Sequence, residues 1–411
     1  DGRCVRRFNL EMEKIMEKNW KKNIVRFLSA QTISLFGSSL VQYAIIWYVT
    51  LSTSSGIMLT ISTLCGFLPQ ICIAVFAGTW IDKYNRKKLI MLSDSVIALA
   101  TLGLALLFLS GNKNIWVLFL VLIIRSAGAG IQTPAVNAIL PQIVPQENLM
   151  KVNGIMSTCN SIMMFLSPAV SGAILSVFSL EVTLFIDVIT AIIGVSITAF
   201  VKVGQLIKNN TEDKTMIQNM KEGFRFVKNN KFVLNLLIFQ MVSMFMISPS
   251  AFLTPLMISR RFGEEVWRLT MSEMTYSLGM VIGGILITTW GGFKNRLNTA
   301  LVAGTMYGVV MIGLGISPVF IIYLICNTLI GITAPCYNTP ITVTIQERVD
   351  LDMQGRVFSF MQITTSCMLP IGMMVYGPLA DIVPVETILI IAGILVITAA
   401  AIFHFSKALK N

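Results

Sequence analysis

The sequence has 411 residues, of which 55% are hydrophobic and only 12% are charged, about half of the roughly 25% charged share of soluble domains. A chain this apolar has too few polar side chains to cover a water-exposed surface, so the composition excludes an ordinary soluble fold. The net charge is +11, from 31 Lys and Arg against 20 Asp and Glu, and the basic residues stand in short blocks between apolar runs. That pattern is typical of a membrane protein and speaks against a nucleic-acid partner.

Twelve apolar runs are long enough to cross a bilayer, for which a helix needs roughly 20 residues. In chain order they cover residues 24–51, 57–80, 88–109, 115–138, 152–176, 180–202, 232–256, 272–291, 298–316, 318–341, 356–379 and 385–406. We therefore predict an all-α polytopic membrane protein of twelve transmembrane helices, surrounded by membrane lipid.

A polar stretch at 203–231 separates the runs into two sets of six. It predicts an N-terminal six-helix half at 16–202 and a C-terminal six-helix half at 232–411. Within the stretch, four apolar residues recur at helical spacing, which predicts either an amphipathic helix on the cytoplasmic membrane surface or a loosely packed linker helix. They are Ile217, Met220, Phe224 and Val227.

The charged residues outside the spans indicate the orientation. Lys and Arg crowd the segments 1–23, 83–88 and 202–231, and cytoplasmic loops are enriched in these residues. We therefore expect both termini in the cytoplasm. Residues 1–15 lack an initial Met and an apolar core, so we interpret them as an upstream extension before Met16 and not as a signal peptide.

Little in the sequence favours catalysis. Its seven Cys have no metal-ligand or disulfide spacing, and the one His, His404, excludes a histidine cluster. No phosphate-binding loop of the G-x-x-x-x-G-K-S/T kind occurs, so the chain is no ATPase by itself. We expect no enzyme, no metal and no cofactor, and the sequence leaves open whether an ATP-binding partner protein assists it.

The loop after the second span carries the strongest motif, Gly78-x-x-x-Asp82-Lys83-x-x-Arg86-Lys87-Lys88. We expect Gly78 to let two helices approach closely and Asp82 to accept backbone N–H groups at a helix start. Arg86 and Lys87 are placed to pair with Asp82 or with Asp94, two turns into the third span. This set predicts a cytoplasmic latch; the alternative is an ordinary basic loop. Residues 291–296 repeat the pattern in the second half as Gly-x-x-x-Asn-Arg.

Three charged residues inside spans are candidates for proton coupling, because an unpaired charge there is costly. Arg125 lies near the middle of the fourth span, Asp187 lies in the sixth, and Glu273 opens the eighth. One hypothesis has Asp187 exchanging the coupling proton, so that Asp187→Asn stops export and leaves folding intact. The alternatives are a structural Arg125–Asp187 pair and a solvated helix-start acid at Glu273.

Uncharged polar residues in the spans predict a substrate cavity. Gln31, Ser34 and Ser38 share one helical face of the first span, with Gln42 close by, and Asn137 lies in the fourth span. Such a lining orients a ligand by a few hydrogen bonds and binds the rest by apolar contact. The alternative for this face is tight packing of small residues.

The 78–88 loop resembles the G-x-x-x-D-R/K-x-x-R-K/R signature of the major facilitator superfamily. Residues 125–130, with Gly128 and Gly130, match its R-x-x-G-x-G element. Residues 167–172, with Pro168 and Gly172, are similar to a degraded antiporter element G-P-x-x-G-G. The phrases at 133–137 and 377–381, the latter with Gly377 and Pro378, resemble the macrolide-efflux branch and clostridial-type tetracycline exporters.

The resemblance implies helix-packing and gating roles for these Gly and Pro residues. It also implies a bacterial drug:proton antiporter in the cytoplasmic membrane, with protons and a small hydrophobic or amphipathic drug as partners. We expect a macrolide as first substrate and a tetracycline as second. The alternative is a secondary carrier of an endogenous lipid-like or siderophore-like compound.

Overall fold

The computed structural model describes residues 2–203, 225–349 and 351–405, and every regular element in these ranges is a helix. The predicted linker at 203–231 therefore lies mostly outside the described residues. The α-helices are α1 (Gly2–Thr53), α2 (Gly56–Lys83), α3 (Arg86–Leu109), α4 (Ile115–Ile143), α5 (Leu149–Val177), α6 (Leu180–Ala199), α7 (Lys231–Phe252), α8 (Thr254–Arg261), α9 (Val266–Trp290), α10 (Arg296–Ile316), α11 (Phe320–Arg348), α12 (Leu351–Leu379) and α13 (Val385–Phe405).

The helices confirm the twelve-span fold predicted from the hydropathy pattern. Among the described residues, eleven segments are long and apolar enough to cross a membrane, with α7 and α8 counted as the single segment Lys231–Arg261. The long helix α12 is the remaining member of the twelve.

One helix boundary differs from the sequence prediction in a way that matters for function. The eighth span begins at Val266 and not at residue 272. Its first turns carry Arg268 and other polar side chains, which lower the local hydropathy without ending the helix. Glu273 therefore lies two turns inside α9, and the prediction that it opens the span is wrong.

The chain forms two compact units: residues 1–48 with 61–210 make up unit one, and residues 49–60 with 211–411 make up unit two. In unit one, α3 packs against both α4 and α6. A cluster around the buried Phe27, Ile90 and Ile139 fills the space between these helices and α1. These contacts bring the polar residues of α1, α3, α4 and α6 together.

In unit two, α9 packs against α11, and α11 and α13 both pack against α10. A second apolar cluster joins α7 to α10 and α11 around Phe239, Leu301 and Ile341. Val227, from the end of the predicted linker, is buried in this cluster. The helical residues 225–229 are thus held by unit two.

Asn residues begin several of the helices. Asn85 accepts the backbone N–H of Lys88 at 3.3 Å, and Asn295 accepts that of Leu297 at 3.0 Å. An Asn side chain at this position satisfies one of the unpaired donors of a helix start. The two helices therefore begin alike, with an Asn that caps a helix whose first residue is Arg86 or Arg296. These caps lie three positions out of the register of the sequence repeat, which aligns Asp82 with Asn295.

Candidate functional site

A buried ion pair links α4 and α6 in unit one. Arg125 Nη1 donates to Asp187 Oδ2 and to the hydroxyl of Thr101. Ser38 adds a hydroxyl bond to Asp187 Oδ1 at 3.2 Å, and its carbonyl accepts Arg125 Nη2 at 3.3 Å. Asp187 is 0% exposed. Each of its oxygens accepts a hydrogen bond. This arrangement corresponds to the structural Arg125–Asp187 pair, which the sequence left open as the alternative to proton coupling.

A close contact between α1 and α6 places Ser38 in this network. A Cβ atom added to Gly37 would lie 3.0 Å from the Cα of Asp187 and would overlap the hydroxyl of Thr190. Only a residue without a side chain permits this separation. Ser38 therefore belongs to the ion-pair network, and not to the wall of a substrate cavity as predicted.

A second buried carboxylate, Asp94 on α3, has a different environment. Its Oδ1 accepts the hydroxyl of Ser34 at 3.2 Å and the amide of Gln132 at 2.5 Å. Its Oδ2 is buried and has no hydrogen-bond partner among the described residues. Asp94 is therefore bound to Ser34 of α1 and Gln132 of α4. It does not pair with Arg86 or Lys87 as predicted for the latch.

A cavity of about 210 Å³ lies beside Gln132 in unit one. Its wall includes Gln31 and Asn137, both predicted as cavity residues, together with Asn160, Met156 and apolar side chains. The Nε2 of Gln31 is buried and has no partner in the described part of the chain. The predicted Gln42 is not in this wall; its amide lies against Gly66 of α2.

Unit two contains a cavity of about 240 Å³ that the sequence analysis missed. It lies among helices α7 to α12, and its wall carries a carboxylate, three phenol rings and two amides. Those side chains are Glu273, Tyr276, Tyr307, Tyr337, Asn327 and Asn338. Apolar residues of α7 complete the wall, so the cavity combines a few polar groups with a largely apolar surface, as ligand sites do.

Neighbouring bonds fix the polar groups of this cavity. The hydroxyls of Ser250 and Tyr307 are 2.8 Å apart, and the amide of Asn327 donates to the carbonyl of Ser272 at 2.6 Å. Glu273, in contrast, forms no ion pair with any Lys or Arg that the structure describes. A carboxylate facing an aromatic cavity without a protein cation is suited to a cationic group of a ligand.

Two cations in the first turn of α3 bind backbone carbonyls of α4 and of the end of α6. Arg86 Nη1 donates to the carbonyl of Ala138 on α4, and Lys87 Nζ donates to the carbonyls of Ala199 and Val201 at 2.6 and 2.9 Å. A cation at a helix C-terminus is favourable because the last carbonyls lack helical partners. These cations hold α3 against α4 and α6.

Gly78 and Asp82, two other residues of the predicted latch, give less support to the latch. A Cβ atom added to Gly78 would meet no other atom within 4 Å, so the close helix approach expected there is not found in the described part of the chain. The side chain of Asp82 lies outside the described residues. The latch function itself stays a prediction.

The small residues of the other motifs lie at helix contacts. A Cβ atom on Gly128 would come within 2.7 Å of Ile97 on α3, and one on Gly130 within 2.7 Å of the Gln70 carbonyl on α2. Pro168 and Gly172 are buried positions of α5. These positions match packing roles; a gating role remains a prediction.

The turn after α12 caps the start of α2 within unit two. Asp381 Oδ1 accepts the backbone N–H of Gly56 at 2.6 Å. Its Oδ2 accepts the N–H of Ile57 at 3.0 Å and the hydroxyl of Ser55 at 2.9 Å. We call this group the α2 clasp. It is an N-cap supplied by a residue more than three hundred positions away in the chain.

Arg260 and Gly377 complete the α2 clasp. Arg260 Nη2 donates to Asp381 Oδ1 at 2.9 Å and to the carbonyl of Ser54 at 2.6 Å. A Cβ atom on Gly377 would overlap the hydroxyl of Thr60. Gly377 and its neighbour Pro378, singled out as a resemblance motif, thus form the end of α12 that contacts α2.

The α2 clasp holds its carboxylate ionised at neutral pH. Burial alone would raise the pKa of Asp381, but the backbone donors of Gly56 and Ile57, the Ser55 hydroxyl and Arg260 outweigh burial and lower that pKa below its ordinary 3.8. A lowered carboxylate pKa stabilises the fold at every pH above the ordinary value. The stabilisation is lost only as the pH falls through the lowered pKa.

We expect Asp381→Asn to lower the free energy of unfolding by about 2 kcal/mol, because it weakens charge-assisted bonds and sets an amide donor against backbone donors. A thermal unfolding curve of purified protein in detergent measures the change. Glu264→Gln, at an exposed acid of the same unit, is the matched control and is expected to leave the midpoint unchanged. Equal midpoints for wild type and Asp381→Asn would contradict the assigned role.

Comparison with known proteins agrees with this helical architecture. The family model described as Major Facilitator Superfamily matches residues 27–372. Macrolide efflux protein A of Streptococcus pyogenes is 32% identical over 392 residues, covering 94% of this chain and 97% of that protein. A protein of the same name from Enterococcus faecalis is 32% identical over 325 residues, 78% of this chain and 99% of that protein.

More distant similarities extend to an exporter and to solved structures. The putative bacilysin exporter BacE of Bacillus amyloliquefaciens is 24% identical over 95% of this chain and 97% of its own length. A crystal structure of the nucleoside transporter NupG superposes with a TM-score of 0.71 at 16% identity, covering 94% of this chain and 100% of that one. A bacterial homologue of the lysosomal transporter Spinster gives 0.71 at 13% identity, covering 93% and 96%. The structural likenesses concern the fold.

Proposed function

This chain belongs to the Major Facilitator Superfamily, and we propose on that premise that it exports amphipathic antibiotics, macrolides first, across the bacterial cytoplasmic membrane. The observation that carries the proposal is the 32% identity to macrolide efflux protein A over 94% of the chain. The export is driven by protons that enter as the drug leaves. Tetracyclines are the second substrate class, on the resemblance of the motifs alone.

The two cavities support an amphipathic substrate. Volumes of about 240 and 210 Å³ are below the roughly 300–1,000 Å³ of pockets that enclose a whole drug-sized ligand, so either cavity taken by itself accommodates only a part of a large molecule. The walls hold amides and phenols among apolar side chains. Glu273 supplies an acidic group, and its ionised form suits the protonated amine that macrolides carry.

A proton gradient is sufficient for such export. One charge that crosses a potential of 100 mV yields about 2.3 kcal/mol, which corresponds to a roughly 50-fold concentration ratio. An exchange of one cationic drug for one proton moves no net charge, so the pH difference then supplies the energy, about 1.4 kcal/mol per unit. Proton-driven export therefore needs no ATP-hydrolysing partner.

Expression of the chain in a drug-susceptible bacterium tests the proposal. We expect the inhibitory concentration of erythromycin to rise several-fold and that of tetracycline to rise less. A protonophore is expected to restore erythromycin accumulation in cells, because it removes the gradient. The Glu264→Gln variant serves as an active control, and immunoblotting of membranes verifies equal amounts of protein.

A second candidate is export of bacilysin or a related compound. The similarity to a putative bacilysin exporter over 95% of this chain favours it. If the inhibitory concentrations of erythromycin and tetracycline both stay unchanged while the protein is present in the membrane, the drug-export proposal fails. The second function then takes its place.

A further inference from the structure

The two buried carboxylates of unit one are stabilised in opposite ways. Asp187 has Arg125 as an ion-pair partner and hydroxyl donors on both oxygens. Asp94, which is 2% exposed, has two neutral donors on Oδ1 and none on Oδ2 among the described residues. Of these two carboxylates, only Asp187 has a cation as a hydrogen-bond partner among the described residues.

Burial decides which form of Asp94 the fold tolerates. An unsatisfied neutral polar group is costly in a protein interior, and an isolated charge in a low-dielectric interior costs far more. Without a cation, the neutral acid with a proton on Oδ2 is the less costly form. Ionisation becomes favourable when water or another donor reaches Oδ2.

The charged groups on the helices around Asp94 do not change this conclusion. Arg125 is engaged with Asp187, and Glu181, at the start of α6, pairs with Lys113 at 3.9 Å.

The cations of α1 and α3 are distant from Asp94 or bound elsewhere. On α1, the described cation nearest to Ser34 in the chain is Arg26, two turns earlier and about 12 Å along the helix. On α3 itself, Arg86 and Lys87 bind helix carbonyls. The remaining described cations of α1 and α3 are Lys21, Lys22 and Lys88.

Gln132 connects Asp94 to the unit-one cavity. Its amide nitrogen donates to Asp94 Oδ1 at 2.5 Å, and the same side chain forms part of the cavity wall beside Gln31. A change in the contents of the cavity therefore reaches Asp94 through one hydrogen bond. A ligand or water that draws the Gln132 amide away removes a donor from the carboxyl group.

We propose that Asp94, and not Asp187, is the residue of unit one that binds and releases the coupling proton. The proton adds to the carboxylate to give the neutral acid at Oδ2, and it passes from that oxygen to water when the cavity fills with water. The proposal rests on proton-driven export as its setting. It assigns a group that the sequence had placed in a cytoplasmic latch.

Infrared titration of the purified protein tests the assignment without any drug. The stretching band of a protonated buried carboxyl group is followed from acid to alkaline pH. We expect Asp94→Asn to remove one carboxyl's share of this band and Asp94→Glu to shift it in frequency. Glu181→Gln, at the first turn of α6, is the matched control and is expected to leave the band unchanged. A band that neither Asp94 variant alters would overturn the proposal.

Vesicle transport then tests the role of the proton. We expect Asp94→Asn to retain exchange of erythromycin across the membrane at equal pH. The acceleration of transport by a pH gradient is expected to be at least ten-fold smaller than in wild type. Asp94→Glu is expected to recover part of it. Full gradient-driven transport by Asp94→Asn would contradict the proposal.

The infrared titration and the vesicle assay together distinguish a failure of the proposed substrate from a failure of the Asp94 assignment. If wild-type vesicles move no erythromycin, the proposed substrate fails, while the infrared band still decides whether Asp94 holds a proton. If Asp94→Asn is not recovered in folded form, the frequency shift in Asp94→Glu carries the test alone. Size-exclusion profiles of both variants establish which case applies.

Discussion

Asp187→Asn is expected to destabilise the protein by about 3–5 kcal/mol, because it leaves Arg125 as a buried charge without its partner. The side chains of Arg125 and Asp187 are 7% and 1% exposed, so water cannot take over the lost interaction. Thr101 and the Ser38 carbonyl remain as neutral acceptors for the guanidinium. They do not balance a full positive charge.

The double variant Arg125→Gln with Asp187→Asn is the matched test. It removes both charges and keeps amides that can exchange hydrogen bonds, and replacing a whole buried pair is often close to neutral. We therefore expect the double variant to regain most of the thermal midpoint that Asp187→Asn loses. The measurement is unfolding in detergent, together with the yield of monodisperse protein.

This comparison also decides between the two sequence hypotheses for Asp187. A coupling residue would leave folding intact when it is changed to Asn and would stop only gradient-driven export. A well-folded Asp187→Asn protein with an unchanged midpoint and no uphill export would therefore support the coupling role and contradict the structural one. The contacts of Asp187 favour the structural role.

The twelve-span fold was predictable because its signal is local. Each span is a run of apolar residues whose length matches the bilayer, and flanking Gly, Asn and basic residues mark the loops. The start of α9 shows the limit of that signal. Polar residues such as Arg268 precede the apolar run, and only the helical hydrogen bonds reveal that the helix already includes them.

Site geometry was harder to predict because its partners are distant in the chain. Asp94 lies two turns from Lys87, and that local spacing suggested a pair, whereas its partners Ser34 and Gln132 lie on other helices. Asp381 was noticed only as part of a resemblance motif. Its bond to Gly56 spans 325 positions, and no local pattern encodes such a contact.

The unit-two cavity illustrates the same limit. Glu273 was identified, but Tyr307 and Tyr337 were not, because aromatic residues in membrane spans are usual and carry no signal of their own. Their common position is set by the packing of α9, α10 and α11. The sequence disclosed the acidic residue itself, whereas its depth two turns inside α9 came from the structure.

Glu273→Gln is expected to reduce the affinity for erythromycin at neutral pH by about ten- to a hundredfold, which corresponds to roughly 1.4–2.7 kcal/mol. A cation 4 Å from a carboxylate gains about 4 kcal/mol at an effective dielectric constant near 20, and desolvation of both groups offsets part of it. The substitution keeps the shape of the side chain and removes its charge. Because Glu273 has no ion-pair partner in the described part of the chain, no protein cation is left unpaired, and we expect the variant to fold normally.

Two controls separate charge recognition from general damage to the cavity. Tyr307→Phe removes the hydroxyl near Ser250 but keeps the ring, and we expect it to change erythromycin affinity less than three-fold, or about 0.7 kcal/mol. A derivative of the drug without a basic amine is expected to bind wild type and Glu273→Gln equally. Equilibrium binding of radiolabelled drug to purified protein measures all combinations. If Glu273→Gln binds the basic drug as tightly as wild type, the carboxylate does not contact the amine, and the unit-two cavity loses its role in recognising the cation.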